Sequence, residues 1–111
     1  MMIYKILRAP EWADLRAEGS SAGAPVDVAD GFVHFSTAAQ VQVTLAKHFA
    51  GEDGIVLLAC QSDDMADDLR WEPSRGGELF PHLYRRLRLS DVQWSRPVQL
   101  TAAGHVTGSL E

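Results

Sequence analysis

The alternation of apolar and polar side chains predicts a short strand about a third of the way along the chain. Successive side chains of a strand point to opposite faces, so Phe32, His34 and Ser36 share one face and Val33 and Phe35 share the other. The Val33/Phe35 face is apolar and should pack on the core. The opposite face presents an imidazole and a hydroxyl beside an aromatic ring, which suits the floor of a cleft.

A helix should begin directly after this strand. Residues 37–40 read Thr-Ala-Ala-Gln, which matches a capping box, and apolar side chains then recur at helical spacing. We therefore expect a helix over residues 37–50, ended by Gly51. Its first turn would bring backbone N–H groups and a positive dipole beside His34, which is a favourable place for an anionic group.

The remaining patterns predict an α+β fold. The other predicted strands are residues 2–7, 54–60, 69–72, 79–87 and 92–100. Pro10 and Gly19 bracket a second, short helix, and residues 19–29 have the Ser, Gly, Ala and Pro content of a loop. Strands and helices mix without regular alternation, so we expect mixed or antiparallel sheets with a cleft and two main helices.

Length and composition indicate one soluble domain. The 111 residues allow a single modest core, here residues 2–100, with residues 101–111 as a flexible tail. The net charge of −5 disfavours an extended nucleic-acid partner. No apolar run approaches the ~20 residues of a membrane span, and no signal-peptide pattern opens the chain. We expect a cytoplasmic protein without a membrane partner.

Basic side chains gather in one part of this acidic chain. They are Arg70, Arg75, Arg85, Arg86 and Arg88. A local basic zone fits a small anionic or nucleotide-like molecule better than a long polyanion. A solvated charged face would give the same pattern, and the sequence leaves that alternative open.

A second stretch places polar and aromatic groups together. If residues 78–84 are extended, then Glu78, Phe80, His82 and Tyr84 share one face. Beside the polar face of the first strand, they would form an aromatic-lined pocket for a small ligand. The alternative is a set of turn and edge residues that satisfy local hydrogen bonds.

Other kinds of site fit the sequence less well. Two histidines and a glutamate could bind a metal, but their spacing matches no metal motif, so no metal is expected. A nucleophile triad of Ser36, His34 and Glu78 lacks the glycines of a nucleophile elbow. Cys60 ends an apolar run and is expected to be a core residue.

Three segments resemble the bacterial family called "domain of unknown function 952". They are residues 3–6, 30–37 and 77–84, and the resemblance extends over residues 2–100. That family resembles a compact relative of the ADP-ribosyltransferase fold, which handles NAD in a cleft between two small sheets. The resemblance therefore implies NAD or a related nucleotide as ligand.

The resemblance also implies roles for individual residues. A first-strand residue that holds a ribose hydroxyl falls near Tyr4 and Lys5, and an aromatic position that stacks on nicotinamide falls on His34, with Ser36 following. The carboxylate that stabilises a ribosyl cation falls on Glu78. Around it lie His82 and Tyr84, and Arg75 or Arg85 would pair with pyrophosphate. Lys5 stands where a histidine is expected, and His34 where a tyrosine is usual.

Two functions remain open from the sequence. The first is a nucleotide- or NAD-related ligand cleft that acts at an N-ribosyl bond, with Glu78, His34 and His82 as catalytic residues. The second is a non-catalytic ligand-binding or protein-interaction module on the same fold.

Overall fold

The computed structural model describes residues 1–110, apart from the Arg75 side chain. The strands are β1 (Met2–Arg8), β2 (Ser20–Ser21), β3 (Val33–His34), β4 (Ile55–Gln61), β5 (Leu69–Pro73), β6 (Leu79–Leu83), β7 (Leu87–Arg88), β8 (Val92–Thr101) and β9 (Gly104–Val106). The helices are α1 (Ala9–Glu18), α2 (Pro25–Asp30) and α3 (Val41–His48). Short 3-10 segments cover Ser62–Asp68, Arg75–Gly77 and Leu89–Asp91. Within residues 1–110, no helix combines the length and apolar character that a membrane span requires.

The strands form a four-stranded sheet in the order β1-β4-β8-β9 and a three-stranded sheet in the order β3-β6-β5. A smaller pair joins β2 to β7, and every strand pair in the described residues is antiparallel. A bridge between Tyr4 and Ser36 connects the two larger sheets. The expected small α+β fold with antiparallel sheets is confirmed.

Both faces of the four-stranded sheet are covered. On one face, Ile3 and Leu58 belong to a buried cluster that also contains the apolar side of the three-stranded sheet, including Val33 and Phe35. The predicted core-facing alternation of β3 is thereby confirmed. On the other face, a second buried cluster includes Leu45 of α3. The three-stranded sheet therefore keeps one face for the core and leaves the other for polar groups.

Helix α3 carries the predicted apolar stripe but starts later than predicted. Val41, Leu45 and Phe49 are buried, as the spacing requires. The side-chain oxygen of Gln40 accepts the Thr37 N–H at 3.0 Å, so only the glutamine half of the capping box forms. The Gln40 amide group also donates to the Leu79 carbonyl at 2.9 Å. This tie to β6 holds the first turn outside the regular helix.

The predicted loop over residues 19–29 contains two secondary-structure elements that its composition did not indicate. One is β2, and the other is α2, which begins at Pro25 and ends at Gly31 in the left-handed conformation, with φ of 83°. Pro at the first turn and Gly after the last are ordinary helix signals, and here they are only six residues apart. The segment from residue 101 onward, expected to be a tail, contains β9, which pairs with β8.

Two strands differ in position or length from the expectation. The apolar run of β1 favours a covered, central position over an edge. The strand is buried over most of its length, but it lies at the edge of its sheet because its outer neighbour pairs only at Tyr4 and Ser36. The strand predicted over residues 79–87 ends at Leu83. The Tyr84 N–H still donates to the Asp68 carbonyl at 2.8 Å, and the chain then turns before β7.

Candidate functional site

The polar face of the three-stranded sheet brings the two histidines together. In the strand register, His34 of β3 lies opposite His82 of β6, and His82 lies opposite Arg70 of β5. Glu72 lies opposite Phe80, two pairs further along. Cross-strand partners point to the same face, so all five side chains share it. Antiparallel pairing thus joins two segments that are almost fifty residues apart in the chain.

The aromatic rings on this face surround Phe32. Its ring centroid lies 4.2 Å from that of His82, with 25° between the planes, and 4.6 Å from that of His34. The Tyr84 ring lies 5.1 Å from Phe32. The His34 and His82 rings meet edge to face at 5.2 Å. We call this group, together with Glu72, the two-histidine site.

His34 is held between two carboxylates. Its Nδ1 lies 2.6 Å from Oδ1 of Asp27, and its Nε2 lies 2.9 Å from Oδ2 of Asp30. Ionised carboxylates only accept hydrogen bonds, so the imidazolium form is the one that donates to both at once. About a third of the His34 side chain remains exposed, at 32%. The site thus presents to solvent a flat ring whose two nitrogens are both held by carboxylates.

Asp27 is the buried centre of this charge network. One of its oxygens accepts the Ala24 N–H at 2.7 Å, and the other accepts the His34 N–H at 3.0 Å. Lys5 Nζ lies 2.7 Å from Oδ2, and both side chains are almost fully enclosed. Burial opposes ionisation of Asp27, but the hydrogen bond from His34 and the nearby Lys5 charge outweigh it, so its pKa is lowered.

Lys5 occupies the position that the resemblance assigned to ribose contact. Its side chain is only 5% exposed and its ammonium group is paired with Asp27. Burial lowers the pKa of Lys5, and the Asp27 carboxylate opposes that shift. In this arrangement the Lys5 charge is paired within the fold, and Asp27 lies between it and His34.

A second network fixes His82. Its Nδ1 lies 2.8 Å from Oε1 of Glu72, and the Tyr84 hydroxyl donates to the same oxygen at 2.6 Å. The hydrogen bond from Tyr84 is the main cause of a lowered pKa for Glu72, and the same bond raises the pKa of Tyr84. Glu72 is therefore ionised and Tyr84 neutral at ordinary pH. The Arg70 guanidinium lies 4.6 Å from the centre of the Tyr84 ring.

Three other residues singled out from the sequence lie differently. Glu78 is exposed just before β6, and its side chain makes no hydrogen bond or ion pair with the described residues. The Ser36 hydroxyl lies 3.0 Å from that of Thr44 in α3 and is buried there. The Tyr4 ring packs in the second buried cluster, 5.9 Å from the Trp94 ring. The Arg75 side chain lies outside what the structure describes.

Arg85 and Arg86 of the basic zone form ion pairs or hydrogen bonds with other parts of the fold. Arg85 pairs with Asp91 at 2.8 Å and with Asp68 at 3.1 Å. Arg86 donates to the hydroxyl and carbonyl groups of Ser20. Arg70, whose guanidinium lies over the Tyr84 ring, contacts the two-histidine site.

Other parts of the surface offer less chemistry. A cavity of about 490 Å³ is lined by β4 and β8, and one of about 320 Å³ lies beside Tyr4 and Trp94. Residues 1–110 hold no group of three or more His, Cys, Asp or Glu side chains arranged for a metal ion. Burial raises the pKa of Cys60 to about 12, so this thiol is not a nucleophile.

Sequence reasoning missed Asp27 and Glu72, the two carboxylates that orient the histidines. Asp27 lay in the segment interpreted as a loop, although Pro25 and Gly31 carried the signals of a short helix around it. Glu72 was on a predicted strand, but its closeness to His82 depends on the β5–β6 register. A hairpin turning at residues 74–77 would have indicated that register.

Comparison with known proteins shows what this chain is similar to. A family model described as "Protein of unknown function (DUF952)" matches residues 6–95. The crystal structure of protein CC0527 from Caulobacter crescentus is 47% identical, with a TM-score of 0.90, over 95% of this chain and 92% of that one. The solution NMR structure of CC0527 gives 47% identity and a TM-score of 0.84, over 94% and 90%. A search of curated proteins finds no match.

Proposed function

This chain belongs to the DUF952 family of proteins of unknown function, and from that premise we propose that it binds a small nucleotide-related ligand at the two-histidine site. The observation that carries the proposal is the Phe32 ring, which stacks on His82 and lies tilted against His34, while a carboxylate contacts each of the two imidazoles. Rigid flat rings suit a flat base or nicotinamide ring, and the carboxylates suit a ligand with positive charge on that ring.

The arrangement of the two sheets supports a relation to the ADP-ribosyltransferase fold. In that fold NAD lies in a cleft between two small sheets. Here the Tyr4–Ser36 bridge brings the four-stranded and three-stranded sheets side by side. Lys5 from the first sheet and His34 from the second then meet at Asp27. The proposed ligand therefore contacts the three-stranded sheet next to this junction.

Chemical-shift mapping tests the binding proposal. NAD, ADP-ribose, AMP and a short RNA would each be titrated into isotope-labelled protein. We expect saturable shifts at Phe32, His34 and His82 with NAD or ADP-ribose, and their loss in a Phe32→Ala variant. A Val43→Ala variant, changed on the exposed side of α3, should bind normally. Shifts confined to the cavity beside Trp94 would contradict the proposal.

The same site also favours a reaction at an N-ribosyl bond. Breaking such a bond passes through a state with positive charge on the sugar, as glycoside hydrolysis does. Asp27, Asp30 and Glu72 place three carboxylates around the two rings, and Glu78 precedes the same strand as His82. Preorganised negative charge of this kind stabilises such a transition state.

Release of nicotinamide from NAD, followed by chromatography, tests the reaction separately from binding. Turnover by the wild-type protein, abolished in Phe32→Ala, would support an enzyme. Saturable binding without turnover on NAD or other N-ribosides would instead support the second function, a non-catalytic binding module on the same fold.

A further inference from the structure

The His82 imidazole is largely enclosed, and one of its nitrogens has no hydrogen-bond partner among the described residues. The side chain is 7% exposed, and its Nδ1 lies against the Glu72 carboxylate. Nε2 makes no hydrogen bond with any described residue, yet no fully buried side-chain polar atom of those residues lacks a partner. Nε2 therefore keeps some exposure to solvent, on the face where the ligand is proposed to bind.

The hydrogen bonds of Glu72 decide which nitrogen carries the proton. An ionised carboxylate cannot donate, so the Nδ1 of His82 must be the N–H group. The Tyr84 hydroxyl donates to the same Oε1, which holds that oxygen in place. In the neutral imidazole this arrangement leaves a lone pair on Nε2, the nitrogen that faces solvent.

The two histidines consequently have different chemistry. Both nitrogens of His34 face carboxylates, those of Asp27 and Asp30, so neither offers a free lone pair. His82 faces one carboxylate and keeps one nitrogen available. A carboxylate behind an imidazole fixes both the orientation and the tautomer of a general base.

We propose that His82 is the general base of the two-histidine site and that Glu72 is its positioning residue. This inference rests on the N-ribosyl reaction proposed above. His82 Nε2 takes a proton from water while the water oxygen forms a bond to the ribosyl C1′. The bond between C1′ and the ring nitrogen of the leaving group breaks at the same time, and its electron pair stays on that nitrogen. With NAD the products are ADP-ribose and nicotinamide, and the proton remains on His82.

The substitution His82→Asn separates this role from a structural one. The asparagine amide can still donate to Glu72 in place of Nδ1, but nothing replaces Nε2. We expect kcat for nicotinamide release from NAD to fall roughly 10²–10⁴-fold with KM unchanged. Glu72→Gln should also lower kcat. His105→Asn, changed in β9 where His105 contacts the Glu52 carbonyl, should leave kcat as in the wild type.

A spectroscopic readout tests Glu72 without turnover. Nitrogen-15 spectra of the histidine rings should show wild-type His82 protonated on Nδ1 and not on Nε2 when neutral. Glu72→Gln should weaken that preference, because an amide can also donate to Nδ1. A wild-type His82 that carries its proton on Nε2 would overturn the role of Glu72.

The remaining outcomes are distinguishable. Wild-type turnover that is undiminished in His82→Asn would overturn this inference and leave the N-ribosyl reaction standing. Ligand shifts at His34 without wild-type turnover would overturn it and leave the binding proposal standing. If the wild-type protein shows no ligand shifts and no turnover, the binding proposal, the N-ribosyl reaction and the role of His82 are all overturned.

Discussion

At the scale of single residues, Gly23 lets Asp27 reach its donors. Its φ of 96° lies in the region that favours glycine, and a Cβ built there would collide with the Asp27 carboxylate. Gly51 has a similarly positive φ of 73° but open space around it. Alanine substitutions at the two glycines can therefore be compared: both introduce backbone strain, and only the one at Gly23 also displaces the Asp27 carboxylate.

We expect Gly23→Ala to destabilise the protein by more than Gly51→Ala does. The strain of a positive φ costs roughly 1–3 kcal/mol in either variant, and only Gly23→Ala also displaces a buried ion-paired carboxylate. Urea unfolding of both variants measures the difference. Equal losses of unfolding free energy would show that Asp27 tolerates the displacement.

Glu78 is the residue on which the resemblance places charge stabilisation. If the protein acts at an N-ribosyl bond, Glu78→Gln should change NAD binding modestly and lower turnover by roughly 10²–10³. Glu18→Gln, at the exposed end of α1, is the matched control. The assay is nicotinamide release with all variants. Turnover equal to wild type in Glu78→Gln would remove Glu78 from the mechanism.

The sequence predicts which neighbouring residues share a face, because that depends only on local strand geometry. The parity of a strand placed Phe32 and His34 on one face and His82 and Tyr84 on another, and the structure joins these two faces. The contacts of Glu72 and Asp27 depend on register and on a six-residue helix. Pairing between distant segments is set by the whole fold, so local patterns did not reveal it.

At the scale of elements, α3 anchors one face of the four-stranded sheet through Leu45. This side chain is 1% exposed, whereas Val43 on the outer side of the same helix is 53% exposed. Leu45→Ala should lower the free energy of unfolding by roughly 2–5 kcal/mol, because it removes buried methyl groups and leaves a cavity.

The control for α3 is Val43→Ala, which should change the free energy of unfolding by less than about 0.5 kcal/mol. Chemical denaturation monitored by circular dichroism compares both variants with the wild type. A Leu45→Ala protein as stable as Val43→Ala would mean that α3 does not pack against the sheet.

The long periodic elements were predictable, and the short ones were not. Apolar runs identified β1 and β4, and the stripe of α3 identified its buried face. α2 and β2 are too short for a periodic signal, and β9 owes its pairing to β8. The short elements nevertheless matter, since α2 supplies Asp27.

At the scale of the whole molecule, the two sheets are tied at the charge network around Asp27. A carboxyl group whose pKa is lower in the folded state than in the unfolded chain stabilises the folded state fully at pH values above its unfolded pKa. The pKa of Asp27 is lowered from 3.8. Its stabilisation is therefore complete above about pH 4 and is lost as the pH falls through the lower, folded pKa.

We therefore expect acid to weaken the wild-type protein more steeply than an Asp27→Asn variant. The variant is less stable at pH 6 because Lys5 and His34 lose a charged partner, but it has no carboxylate to protonate. Urea unfolding of the wild type and of Asp27→Asn at pH 6 and at pH 3 measures how much unfolding free energy each protein loses between the two pH values. An equally steep loss of stability in the variant would show that Asp27 does not set the acid limit.

A crystal structure of the protein with ADP-ribose or NAD tests the proposed binding site most directly. We expect a flat ring of the ligand in contact, at about 4 Å, with the His34 and His82 rings. A Phe32→Ala crystal treated in the same way should lack the ligand. A ligand bound in the cavity beside Trp94, with the two-histidine site empty, would contradict binding at that site.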